Sequence, residues 1–135
     1  MTSKIVYKGD LRTEMTHLQS GSTVQTDAPV DNQGRGELFS PTDLVATGLG
    51  SCMMTIMGIK AQSIDIDLTG TEMHVTKIMA PDPRRIVEIQ IEVDFPDRLS
   101  TLDEKQKTII EKAGLTCPVA KSLHPDIVQA INFSW

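Results

Sequence analysis

Apolar and polar positions alternate through the first 27 residues in three short runs, "KIVYK", "RTEMTHL" and "TVQTD", separated by Gly9-Asp10 and by Gln19-Ser20-Gly21-Ser22. Period-two alternation broken by turn-forming residues predicts an antiparallel hairpin region over residues 4–27. The next ten residues, "APVDNQGRGE", carry a proline, an asparagine and two glycines with little apolar content, which predicts an exposed loop. The pattern then changes, because no charged residue occurs from Leu44 to Ile59. Ser40 suits the cap of a helix, Pro41 its first position, and Asp43 a return contact to the cap at the positive helix end. A helix is therefore expected from here to about Gln62. Gly48, Gly50 and Gly58 each lower its propensity by roughly 1 kcal/mol against alanine. A closely packed second helix, from this chain or the same helix of a partner subunit, is the expected compensation.

Beyond that helix, "IDIDL" at 64–68 and "TEMHVTKIM" at 71–79 read as strands, and "APDPRR" as the turn after them. From Val87 to Phe95 the alternation is regular: Val87, Ile89, Ile91, Val93 and Phe95 share one face, as in a half-buried strand of an antiparallel sheet. "STLDEKQKTIIEKAG" predicts a second helix, capped by Ser100, striped by Leu102, Ile109, Ile110 and Ala113, and closed at Gly114. A short helix beginning at Pro118 puts Cys117 at or beside its cap, with Pro125 as the stop. Ile127, Ile131, Phe133 and Trp135 then mark a final strand.

With 135 residues, 39% hydrophobic and 23% charged, the chain has the size and composition of one ordinary domain, residues 1–135. A formal charge of -5 and only three Phe, one Tyr and one Trp disfavour a surface for nucleic acid. The N-terminal "MTSKIVYKGD" lacks the basic and then apolar order of a signal peptide, so a cytoplasmic location is expected. The uncharged run from Leu44 to Ile59 is short of a bilayer span and diluted by Gly, Ser and Thr, so it is expected to be a core helix, with no membrane as partner.

Chemistry then narrows to two cysteines. In a reducing compartment a disulfide between them is more readily transient than structural. Cys117 beside a helix start would feel unpaired N–H groups that favour thiolate. Cys52 lies well inside its helix, on a face with Leu44, Val45, Gly48, Leu49, Thr55 and Ile56, where a free cysteine commonly packs as a small hydrophobe. Both readings of Cys52, packing and reaction, stand at this point. No metal-ligand spacing supports a zinc site of Cys52, Cys117 and His124. No glycine-rich phosphate loop is present, and Met53, Met54 and Met57 read as core packing. His17 and His74 carry no pattern of their own.

The stretch "SPTDLVATGLGSCMMTIMGIKAQ" followed by "LTCPVAKSLHP" resembles the OsmC/Ohr superfamily, in particular its OsmC-like, YhfA-type branch, and the likeness extends over essentially the whole chain. The resemblance implies an α+β OsmC-like fold: an intertwined homodimer whose antiparallel sheets wrap central cysteine-bearing helices. It also implies a peroxidase that reduces organic hydroperoxides. Cys52 would become a sulfenic acid and condense with Cys117 to a disulfide, which an external dithiol, lipoyl-type in some members, would reduce with no bound cofactor. Peroxidase members ionise the first cysteine with an arginine from the N-terminal hairpin, oriented by a glutamate just after the helix-opening proline. Here that glutamate position is Thr42 and the hairpin turn "HLQSGS" has no arginine, leaving Arg12 and Arg35 as substitutes. A non-catalytic dimer that binds a small hydrophobic ligand in the interface cleft is the alternative.

Overall fold

The computed structural model describes residues 1–135 and is of α+β class, with two three-stranded sheets and three α-helices. Two compact units divide it, Met1–Val45 and Ala46–Trp135.

In the N-terminal unit, β1 (Ser3–Gly9), β2 (Arg12–His17) and β3 (Thr23–Asp27) form an antiparallel meander in the order β1-β2-β3, as the alternation predicts. The first turn runs through Gly9, Asp10 and Leu11, all at positive φ, after a bulge between Tyr7 and Gly9. Ile5, Met15 and Val24 fall in one cross-strand row, yet Ile5 is 63% and Val24 47% exposed. The residues this unit buries are polar: Thr26, Asp27 and Ser40. Thr26 meets Thr13 hydroxyl to hydroxyl at 2.6 Å. The loop after β3 folds back tightly, so that a Cβ on Gly34 would stand 1.7 Å from the Ala28 carbonyl oxygen; only glycine fits there.

Helix α1 (Pro41–Gln62) opens as the sequence predicts. Ser40 N–H donates to Asp43 Oδ2 at 2.8 Å, and Asp43 N–H donates back to Ser40 Oγ at 3.1 Å, so two donors of the first turn are satisfied reciprocally. At 22 residues the whole of α1 is long and apolar enough to cross a membrane, a test that a core helix passes equally. What it does in the C-terminal unit is bury Ala46, Leu49, Gly50, Met53, Met57 and Ala61, spaced as one helical stripe.

That stripe belongs to a core completed by the sheet β4 (Glu72–Pro81), β5 (Arg84–Asp94) and β6 (Val128–Ser134), by α2 (Glu104–Gly114), and by Cys117 before α3 (Pro118–Ser122). Strand order is β4-β5-β6, with β4–β5 antiparallel but β5–β6 parallel, so the sheet is mixed. Three local expectations are corrected. "IDIDL" is not a strand: Asp65 turns through positive φ, the N–H groups of Ile64 and Ile66 both return to the Ala61 carbonyl, and Asp67 Oδ1 accepts from Thr69 N–H and Oγ1. Side chains that bond their own backbone outcompete a ladder here. On β5 the register shift between Ile78 and Met79 pairs Met79 with Ile86, so Val87 is the extra residue and Ile86 enters the core in its place. Finally, Asp103 rather than Ser100 caps α2, in a reciprocal capping box with Gln106.

Candidate functional site

Cys52 projects from the middle of α1 beside the buried stripe, is partly exposed, and packs against the core cluster. Cys117 is 0% exposed and caps α3, with Pro118 at the first helical position and the Ala120 N–H donating to its Sγ at 3.4 Å. The two cysteines, predicted from distant motifs, are free thiols in one apolar cluster, near enough that Cys52 acts on the ionisation of Cys117.

The sequence placed Cys117 correctly at a helix start but not its ionisation. Burial pushes the Cys117 thiol up, the Ala120 N–H offsets this only in part, and contact with Cys52 raises it further. An N-terminal amide cannot compensate complete burial of the sulfur, so at neutral pH Cys117 holds its proton. The pair is therefore asymmetric, one partly exposed cysteine and one buried, protonated thiol. Such an arrangement can undergo thiol–disulfide chemistry in a defined order.

The residues expected to assist lie in the N-terminal unit and have partners there. Arg12 forks onto Asp27, Nε to Oδ1 at 2.7 Å and Nη2 to Oδ2 at 2.8 Å, and Nη2 also reaches Glu37 Oε2 at 2.8 Å. This raises the Arg12 guanidinium, first through Asp27, and holds the Asp27 carboxyl below the usual range. Arg35 donates to Asp10 Oδ2 at 2.6 Å. Thr42 Oγ1 lies 3.1 Å from Ser40 Oγ. Asp27 and Glu37 were not singled out from sequence; the signal for Asp27 is its register opposite Arg12, visible only once β2 and β3 are paired.

His124 Nδ1 accepts from the Asp126 N–H at 3.2 Å, and no group of three or more His, Cys, Asp or Glu side chains gathers to hold a metal. A cavity of about 240 Å³ flanks α1, lined by Thr47, Gly50, Ser51, Met54, Met73 and Val75. A larger one, about 710 Å³, lies between Gly58 and the 65–71 turn. Neither is lined by Cys52 or Cys117.

A family model described as OsmC-like protein matches residues 34–131. Among solved structures, one from Psychrobacter arcticus 273-4, provisionally described as an osmotic stress induced and detoxification response protein, is 56% identical with a TM-score of 0.93, over 99% of this chain and 96% of that one. An OsmC-like protein from Mycoplasma pneumoniae is 18% identical with a TM-score of 0.76, over 98% and 94%. The organic hydroperoxide resistance protein OsmC from Legionella pneumophila is 14% identical with a TM-score of 0.73, over 100% and 98%. These last two show a shared fold. No curated protein matches.

Proposed function

The chain belongs to the OsmC-like protein family, and on that premise we propose that it is a thiol-dependent peroxidase acting on organic hydroperoxides. Cys52, the partly exposed cysteine, attacks as thiolate the terminal oxygen of the hydroperoxide. The O–O bond breaks, the departing alkoxide takes a proton and leaves as an alcohol, and Cys52 becomes a sulfenic acid. Cys117 then gives up its proton and displaces hydroxide from the Cys52 sulfur; water leaves and a Cys52–Cys117 disulfide remains. An external dithiol, with no bound cofactor, reduces it by exchange and is itself oxidised. The single observation that supports this reading is the packing of a partly exposed Cys52 against the core cluster that holds a fully buried Cys117.

A homodimer is part of the proposal. Nothing lies within 4 Å of a Cβ built on Gly48 or Gly58, which leaves room along α1 for a second copy. The cytoplasm, where thiols stay reduced, suits the pair.

The test is to treat the reduced protein with an organic hydroperoxide and follow intact mass and free thiols. Wild type should lose two thiols to an internal disulfide, Cys117→Ser should stop at a trappable sulfenic acid on Cys52, and Cys52→Ser should not consume peroxide. Two unreacted thiols in wild type under excess hydroperoxide would sink the reading. That result would favour the alternative, a non-catalytic dimer binding a small hydrophobic ligand, for which the cavity beside Met54, Met73 and Val75 is the supporting observation.

A further inference from the structure

Cys52 and Cys117 are carried by different elements, so the gap between their sulfurs depends on how closely the end of α2 approaches α1. Gly114, the buried last residue of α2, sits at that approach. A Cβ built on it would lie 2.7 Å from Met57 Sδ, 2.9 Å from Met57 Cγ and 3.8 Å from Met53 Cε. The first two are nearer than packed atoms come. Gly114 has helical rather than left-handed backbone, which alanine would adopt without strain, so the position demands space and not conformational freedom.

From Gly114 to the thiol the chain is tightly tied. Its carbonyl accepts from the Cys117 N–H at 3.2 Å, while the Thr116 N–H and hydroxyl both donate to the Ala113 carbonyl, at 3.1 and 3.0 Å. The Lys121 N–H then closes onto the Cys117 carbonyl at 3.2 Å. On the other side, Met53 and Met57 are 1% and 0% exposed on the helix that bears Cys52, so both side chains are enclosed in the core.

We infer that Gly114 is a positioning residue: its missing side chain, seated against Met57, lets the α2–α3 connection approach α1 closely enough for Cys117 to meet Cys52. This rests on the reading of the two cysteines as a working pair, though not on the substrate they meet.

The reduced protein is equilibrated with glutathione. One glutathione disulfide is consumed, a Cys52–Cys117 disulfide forms and two reduced glutathiones are released, so the equilibrium constant reports how well the sulfurs are presented to each other. Gly114→Ala is expected to lower that constant about tenfold, equivalent to about 30 mV, because its Cβ forces α2 off Met57. Adding Met57→Ala, which removes both clashing atoms, is expected to restore the constant to near the wild-type value. Met57→Ala alone, which opens a gap facing Gly114, is expected to lower it. That variant keeps the test decisive should Gly114→Ala not fold. A wild-type constant in either single variant, or a further loss in the double variant, would overturn the inference. A protein whose thiols ignore hydroperoxides while its glutathione equilibrium follows this cycle would contradict the peroxidase reading and leave the role of Gly114 standing.

Discussion

The two units are stabilised by opposite means. Every buried hydrophobic residue belongs to Ala46–Trp135, where α1, the mixed sheet and α2 share one apolar cluster. Within Met1–Val45 the buried residues are Thr26, Asp27 and Ser40, each hydrogen-bonded, while Ile5, Tyr7 and Val24 remain exposed. A unit of that size without an apolar core of its own cannot be expected to fold in isolation. The comparison separates what holds the chain together from what holds a sheet in register. It also fits the proposed homodimer, which would supply apolar cover that this unit's own residues lack.

Substitutions of one type in both units put this to the test. Ile91→Ala, at a fully buried site of β5, is expected to destabilise by about 2–5 kcal/mol in chemical denaturation. Ile5→Ala, at an exposed site of β1, should cost about 0.5 kcal/mol or less when the protein is dilute and monomeric. Equal losses would break the contrast. A loss at Ile5 that grows with protein concentration would instead tie the N-terminal sheet to subunit contact.

Next in size is Asp27→Asn, which leaves Arg12 with Glu37 alone and should speed amide exchange across β2 and β3 without altering exchange in β5. The pH dependence has a definite sign. Because Arg12 depresses the folded Asp27 below the ordinary aspartate value, the ionised pair contributes stability above about pH 4, and that contribution is lost as pH falls through the depressed value. The difference between wild type and the Asn variant should therefore shrink in acid; a gap constant down to low pH would contradict the ion-pair account. An effect between those of Ile91→Ala and Ile5→Ala is expected from Ser40→Ala. Loss of one side of the reciprocal cap should cost about 1 kcal/mol, read by denaturation at neutral pH.

Much of this architecture was legible in the sequence, for identifiable reasons. Hairpins, the opening of α1 and the start of α3 depend on residues a few positions apart, and those signals survive folding. What was not legible depends on register or on distance. Val87 fits the alternation of β5 perfectly, and only its pairing with β4 shows that a bulge removes it from the inner face. Asp27 became the partner of Arg12 only when two strands were aligned. Cys117 was readable as a cap but not as a buried one, because its burial comes from α1 and the sheet, far away in sequence. Gly114 read simply as the end of a helix, and its closeness to Met57 is a fact of packing.

The parallel pairing of β6 with β5 bears on how the molecule is made. Strands of the N-terminal sheet pair across short turns, Ser3 with His17 and Arg12 with Asp27, so they close early and at small entropic cost. Val128 must find Glu88, and the chain between them, crossing over to lie parallel, contains α2, Gly114 and Cys117. Closing that crossover brings Cys117 to α1. A chain in which it is still open has two independent thiols, so the proposed internal disulfide would become accessible during biosynthesis only as this most non-local pairing completes.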